Sequence, residues 1–303
     1  MDPIAAALAP LHRVAVPATY AFAIVVIFGE FFVLRALQKR VSVRGGVTSL
    51  ASGGLSFGLL FLADRALFGG LYAWSHAHRF ATLGTSWPVW LGAFVVYDLM
   101  FYVAHRAGHE VRALWCFHAV HHTADEMRLS SAVRGSALDF IYLPWFFVWI
   151  PLLGVHPLML LTVEAFSRMW GIATHVSPHL VGRLGPLDGL LVTPSVHRVH
   201  HGRDVDYLDR NYGEVLLLWD RLFGTWQRET HAPTYGVTTP IDANGLVAIQ
   251  VGFWQGLARD LARAPDWRSR ARYLFDAPGY AHDGPDHRVR VIQAQSGGGS
   301  SSP

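Results

Sequence analysis

Cysteine occurs once in the 303 residues, at Cys116, and lysine once, at Lys39. A single thiol excludes an internal disulfide framework and any multi-cysteine zinc or iron–sulfur site within one chain. With one lysine, the basic pI of 9.2 is arginine's. Those arginines are scattered among apolar runs and acids rather than gathered on a face with stacking aromatics, so no nucleic-acid partner is expected. Charge of either sign is scarce, 16% of residues against about 25% in an average soluble domain. Hydrophobic residues make up 51%, and mean hydropathy is +0.26. Few charges and much apolar side chain describe an integral membrane protein, with the arginines as positive loops facing a cytoplasm. Residues 1–10 carry an acid and no basic cluster, so they do not read as a cleavable signal.

Apolar runs then set the topology. Residues 14–37 are long enough to span a bilayer, with Glu30 near one end. Arg35, Lys39, Arg40 and Arg44 place that end in the cytoplasm. A second run, 47–72, is interrupted by Asp64 and Arg65, where its last turn leaves the membrane. Trp74, His76, His78, Trp87 and Trp90 flank a short external loop and suit the headgroup zone. The third run, 87–104, leads into His105. Residues 138–166 decide whether one metal site is feasible. As a single span they would put His175 on the far side from His118. Pro144, Pro151, Gly154 and Pro157 instead break them near 153–156, predicting a hairpin that returns to the same face, with His156 structural at the bend. Residues 182–194 are loop-rich, with a turn at Gly185-Pro186. Gly224 terminates an apolar stretch over 214–223. Val247, Val251, Trp254, Leu257 and Leu261 form a stripe at helical spacing, read as a surface helix packed on the domain.

The expected fold is therefore an all-α integral membrane protein. About three transmembrane helices and a membrane hairpin are capped by a cytoplasmic helical domain that is soluble from His175 onward. Its parts are N-terminal spans (1–92), a catalytic domain (93–240), C-terminal cytoplasmic helices (241–292) and a disordered Gly/Ser tail (293–303).

Histidine is abundant, and ten of the 17 fall in four boxes. They are His105 and His109; His118, His121 and His122; His175 and His179; and His197, His200 and His201. The two triplets repeat at i, i+3 and i+4, on one helical face. Imidazole suits zinc, copper, iron and nickel alike. A structural zinc takes four ligands and a catalytic zinc three plus water, so ten candidates fit two metals better than one. The first box has zinc-protease spacing, but Arg106 stands where that chemistry needs a glutamate base. A haem pair is a rival, since His105–His118 and His109–His122 have equal separations; it leaves the downstream boxes without a role. Soluble di-iron bundles use Glu-x-x-His motifs, and the chain contains none. A non-enzymatic membrane metal-binding protein is a further alternative, although such proteins place ligands near the bilayer midplane and these boxes lie at membrane ends or in loops.

Four motifs carry a resemblance. His105-Arg-Ala-Gly-His109, Trp115-Cys-Phe-His118-Ala-Val-His121-His122, Thr193-Pro-Ser-Val-His197-Arg-Val-His200-His201-Gly, and Asn211-Tyr-Gly followed by Leu218-Trp-Asp-Arg-Leu-Phe-Gly-Thr225 look like the fatty acid hydroxylase and sterol desaturase superfamily. The resemblance covers about residues 97–240. Leu184-Gly-Pro-Leu, Gly202-Arg203 and Tyr235-Gly-Val-Thr are most similar to alkylglycerol monooxygenase-like members. It implies a non-haem di-metal centre, normally two iron ions, held by the ten histidines on the cytoplasmic face. It also implies O2 as co-substrate, a membrane lipid as substrate, and an external electron donor: a reductase, a ferredoxin-type or haem carrier, or a reduced pterin. Hydroxylation, desaturation and ether cleavage all remain open. A bacterial inner membrane is the expected location. His175 and His179 stand for the third histidine pair, but Pro178 disfavours helix at Ser177, so His175 should end a helix and His179 lie in the turn beyond.

All-imidazole ligation leaves metal charge unneutralised, so carboxylates are expected to orient the rings. Asp98, seven residues before His105 and within a membrane run, is the first candidate. Glu164, eleven before His175, is the second, with Arg168 one turn on as a competing partner. Asp204, Asp209, Glu214 and Asp220 are weaker candidates. Trp145, Phe146, Phe147 and Trp149 could line a lipid channel.

Overall fold

The computed structural model describes residues 3–63 and 69–297. Every regular element among them is helical, with two isolated bridges, Leu191–Leu216 and Gly202–Tyr235, in place of any strand. Helix α1 (Pro3–Ala36) and helix α2 (Val43–Ala63) are long and apolar enough to cross a membrane. After the short α3 (Gly69–Ala77), so is α4 (Trp87–Glu110). Pro10 and Pro17 lie inside α1, a tolerance typical of helices in hydrocarbon, where no competing backbone partner is available. Val25, Phe32, Phe61, Leu62 and Trp87 are all more than half exposed on the outward faces of these helices. Water would penalise such a belt; lipid chains would not. The Asp64–Arg65 interruption lies outside the described residues.

Helix α4 continues beyond its apolar run and carries His105 and His109 on its last turns. Extended backbone at Val111 breaks it from α5 (Arg112–His122). The two helices pack closely at Gly108, where a Cβ would sit 3.3 Å from the His118 side chain.

Residues 138–166 form the expected hairpin. A 3-10 turn (Asp139–Ile141), α6 (Leu143–Phe147) and a second 3-10 turn (Pro151–Leu153) lead to a reversal at Gly154, from which α7 (Pro157–Thr174) returns. His156 caps α7 by accepting from the Leu158 amide, a structural role as expected. Helix α7 runs parallel to α1. The Thr19 hydroxyl donates to the Ala165 carbonyl at 3.1 Å, and further along Ile27 shares a cluster with Ile172. Thus α7 ends where α1 ends, and His175 is delivered to the side that holds His105. Glu30 ties this end together by accepting from the amides of Leu129 and Ser177, both at 2.7 Å.

Gly154 is required at the reversal. Its φ is +104°, and a Cβ would meet the Ala81 carbonyl oxygen at 2.4 Å. Left-handed backbone costs a non-glycine residue about 1–2 kcal/mol, and overpacking adds about 1–3 kcal/mol. Gly154→Ala should therefore lower the melting temperature in detergent by several degrees and disturb the histidine cluster. An unchanged melting curve would show that the hairpin relaxes freely.

Beyond His175 come α8 (Pro194–His200), α9 (Leu218–Leu222), α10 (Leu246–Arg263), α11 (Trp267–Phe275) and α12 (Val289–Gly297). Gly224, with φ +72°, stops the chain after α9 as expected. Helix α10 packs on α5 and α11, but its buried face is Ile249, Phe253 and Leu257. Of the expected stripe, Trp254, Leu257 and Leu261 pack into the cluster with Cys116 and Ala119, whereas Val247 and Val251, nearer the start of the helix, are exposed. The tail also needs correction. Residues 293–297 complete α12, held by the Gln293 amide donating to the carbonyls of Val205 and Leu208, and 298–303 lie outside the described residues.

Candidate metal centre

Nine of the ten box histidines converge, in two groups. His105, His109, His118, His122 and His200 form one; His121, His175, His197 and His201 form the other. Within each group the ligand nitrogens lie within 4.8 Å of one another. Each triplet is divided between the groups. On a helix, i+4 lies about 40° past a full turn and i+3 about 60° short of one. The i, i+4 pair His118–His122 therefore serves the five-histidine group and His121 turns to the other. In α8 the assignment is reversed: His197 and His201 serve the four-histidine group and His200 crosses over. The groups are adjacent, with the His122 and His201 rings stacked at 4.4 Å. Thr193 and Pro194 start α8 at the register this needs, the Thr193 hydroxyl accepting from the Val196 amide.

The ring hydrogen bonds fix which nitrogen is available. Nδ1 of His105 donates to the Tyr212 carbonyl (2.8 Å), His121 to Arg134 (3.0 Å), His175 to Gly171 (2.7 Å) and His200 to Arg210 (2.9 Å). A neutral imidazole with its proton on Nδ1 has only a lone pair on Nε2. Yet the Nε2 atoms of His121 and His175 are 3.2 Å apart, and Nε2 of His122 is within 3.2 Å of those of His109, His118 and His200. One nitrogen cannot share a proton with three acceptors. Facing lone pairs at this range repel unless a cation lies between them. Metal–nitrogen bonds of about 2.1 Å at right angles put neighbouring donors about 3.0 Å apart, which matches. The buried Nε2 of His105, without a hydrogen-bond partner, is a further unused donor. The residues fit a pair of metal ions.

Burial, reinforced by neighbouring imidazoles, holds His118, His122, His175, His197, His200 and His201 well below the ordinary 6.5, and burial brings His121 to about 4. The rings are thus neutral and ready to ligate at neutral pH. Without metal, these groups have folded pKa values below their unfolded ones. Unfolding then takes up protons once pH falls below about 6.5, so stability is complete above that value and declines below it. Metal-stripped protein in detergent should melt at progressively lower temperature from pH 7 to pH 5. A flat profile would mean that the rings are already charged in the fold.

The remaining expectations need correction. His179 is exposed and outside both groups, its amide donating to the Ser177 hydroxyl. Helix α7 stops at Thr174 with His175 as its C-cap, the end expected from Pro178, so the i+4 spacing from His175 selects no face. Asp98 touches no histidine. It accepts from the amides of Val215 and Leu216 and from the Trp219 indole. Glu164 pairs with Arg168 at 2.6 Å, one turn along its own helix. Asp204 accepts from Thr234, and Asp220 from the Tyr212 and Gly213 amides and the Thr225 hydroxyl. Glu214 is buried near Gly171, and desolvation together with Asp98 raises its pKa well above the usual range.

Ring orientation comes mostly from backbone carbonyls, and from one of the expected carboxylates, Asp209. The strap 209–212 holds three rings of the five-histidine group through the Asp209 carboxylate (to His109 Nδ1, 3.3 Å) and the carbonyls of Arg210 and Tyr212. Asp98 and Asp220 act at one remove, by anchoring the chain just after the strap. On the other side Arg134, 2% exposed, spreads its guanidinium over Ser49, Thr123, Ala243 and Gly45, and its own carbonyl receives His121. Sequence reasoning missed these carbonyls. The available signal was the Asn211-Tyr-Gly motif, which had no role assigned.

Comparison with known proteins decides the family. The fatty acid hydroxylase family matches residues 90–225. Ornithine lipid hydroxylase OlsE of Rhizobium tropici is 32% identical over 242 residues, covering 78% of this chain and 67% of that protein. The chain belongs to the fatty acid hydroxylase family. Human alkylglycerol monooxygenase is 32% identical over 235 residues, 77% of this chain and 52% of the relative. The Xenopus tropicalis protein of that name is 30% identical over 266 residues, 82% and 58%. The chain thus spans about half the length of the alkylglycerol monooxygenases it matches. No solved structure matches it. The family match encloses all nine converging histidines and the strap, so the hydroxylase motifs and the metal-fitting geometry occupy the same residues.

Proposed function

We propose that the chain is a membrane-bound di-iron lipid hydroxylase that consumes O2 and two electrons per turnover. The observation that carries this reading is the pair of adjacent all-histidine groups whose Nε2 lone pairs face one another at 3.0–3.2 Å. Two bound iron ions would supply the electron transfer and O2 chemistry that imidazoles alone lack. The chain's own residues do the rest. Nine imidazoles offer ligand nitrogens, the backbone carbonyls of Arg134, Gly171, Arg210 and Tyr212 fix the tautomers of four of them, and the apolar spans give a lipid access from the bilayer. The net reaction takes a lipid C–H bond, O2, two electrons and two protons to an alcohol and water.

An ether lipid is the proposed substrate, supported by the alkylglycerol monooxygenase relatives. Hydroxylation of the carbon beside an ether oxygen gives a hemiacetal, which breaks the C–O bond to release an aldehyde and the free alcohol. The electron donor is an external reductant. A cytoplasmic site is part of this proposal, supported by Arg35, Lys39, Arg40 and Arg44 at the end of α1 that packs near His175. The test is purified, iron-loaded protein in liposomes, given a reductant, labelled O2 and either an alkylglycerol or an ornithine lipid. The expected result is one labelled oxygen in the aldehyde from the alkylglycerol. A hydroxylated ornithine lipid instead would reassign the substrate; no lipid-dependent O2 uptake with either would sink the reading.

A further inference from the structure

The part of the chain beyond His175 is not simply a water-facing cap. Trp219, on α9, packs beside Val95 and Leu99 and donates its indole N–H to Asp98, while Phe223 stacks on Tyr102 at 5.3 Å. All four partners belong to the apolar stretch of the membrane-crossing helix α4. Asp98 lies seven residues before His105, about 10 Å further from the cytoplasmic end along the helix axis. Helix α9 therefore reaches down the side of α4 to membrane depth. This also accounts for a carboxylate in the middle of a span: the amides of Val215 and Leu216 come down to meet it.

What α9 turns outward at that depth is apolar. Leu218 and Leu222 are 52% and 65% exposed, and Phe223 48%. Beside them the 3-10 turn Gly185–Gly189 and its end present Leu187 and Leu190, joined to α9's segment by the Leu217 amide donating to the Leu190 carbonyl. The acids nearby are turned inward. Asp188 accepts from Thr193 and Leu184, and Asp220 is fully buried. Arg221 lies at the rim, its guanidinium 4.5 Å above the Trp226 ring, and Arg106, paired with Glu110, donates to the Tyr102 hydroxyl beside Phe223; cations so placed suit the phosphate level of a bilayer.

We propose that Leu187, Leu190, Leu218, Leu222 and Phe223 form a membrane-inserted surface, which continues the lipid-facing side of α4 and seats the histidine groups against the bilayer. Lipid acyl chains are the occupant because the patch is continuous with a membrane span and its rim carries a cation over an indole. The proposal is independent of the substrate and of the metal.

Leu187→Cys, Leu222→Cys and, on the exposed side of α10, Arg259→Cys can each carry an environment-sensitive fluorophore, since the native Cys116 is buried. The full chain is placed in phosphatidylethanolamine–phosphatidylglycerol liposomes with or without lipids spin-labelled on the acyl chain. Quenching at 187 and 222 should exceed that at 259 severalfold, with blue-shifted emission. Equal quenching at all three sites, or a shielded environment at 187 and 222 that persists in detergent and depends on protein concentration, would overturn the proposal in favour of water or a second copy of the chain. Wild-type melting behaviour in each variant checks that the labels report on the native fold.

Discussion

His121→Ala should abolish lipid oxidation and remove one bound metal per chain, while the protein still inserts in the membrane. His121 is the one α5 histidine in the four-histidine group, where its Nε2 lies 3.2 Å from that of His175. Removing it leaves three imidazoles, and the Arg134 carbonyl loses its ring donor. The five-histidine group keeps all its members, because His118 and His122 face it from the same helix. Iron content should thus fall from about two ions per chain to about one, since a lost donor weakens one site and not its neighbour. The control is His179→Ala. That side chain is exposed and in neither group, so both metal content and turnover should stay at wild-type levels. Elemental analysis with an O2-uptake assay on the two variants separates the outcomes. Loss of activity in His179→Ala, or full metal content in His121→Ala, would mean that the ligand set differs from the one the geometry gives.

The contrast between His121 and His179 shows what a sequence can and cannot display. Box spacing exposed the histidines that converge because i, i+3 and i+4 repeats survive as a pattern whatever surrounds them. The hairpin was legible too, since Pro151, Gly154 and Pro157 each have a local reason to stop a helix. Pro178 correctly marked the helix end at His175; what misled was carrying the resemblance's third histidine pair onto His179, which lies beyond that end. The carboxylates misled for another reason. Asp98 and Glu164 carry visible charge, whereas the groups that hold the rings are mostly carbonyls, which every residue possesses and no side-chain pattern advertises. The depth of α9 was hidden similarly. A five-residue helix has no span-length signal, and the tertiary contacts of Trp219 and Phe223 are what place it beside α4.

Asn211→Ala should loosen the five-histidine group without touching any of its members. Asn211 is fully buried and sits at φ +58°, between Asp209 at +56° and the Tyr212 carbonyl. Its Nδ2 donates to the carbonyls of Val196, on α8, and Gln227; its Oδ1 accepts from the Gln227 amide. The first bond clamps α8 to the strap and the other two tie the strap to Gln227, so the strap's carbonyls meet His105 and His200 where α4 and α8 present them. Alanine removes all three and leaves buried backbone groups unpartnered, at about 1 kcal/mol or more each. It also tolerates left-handed backbone less well than asparagine, which costs about 1 kcal/mol more. Loss of such ring-orienting contacts lowers metal affinity about 10–100-fold, and that is the expected loss for one of the two ions. Asn211→Gly separates the causes: it relieves the φ penalty but not the lost bonds, so it should recover part of the melting temperature and little of the affinity. Full recovery of affinity by glycine would assign the strap's hold to backbone strain alone. Wild-type affinity in both variants would show that the rings are held without it.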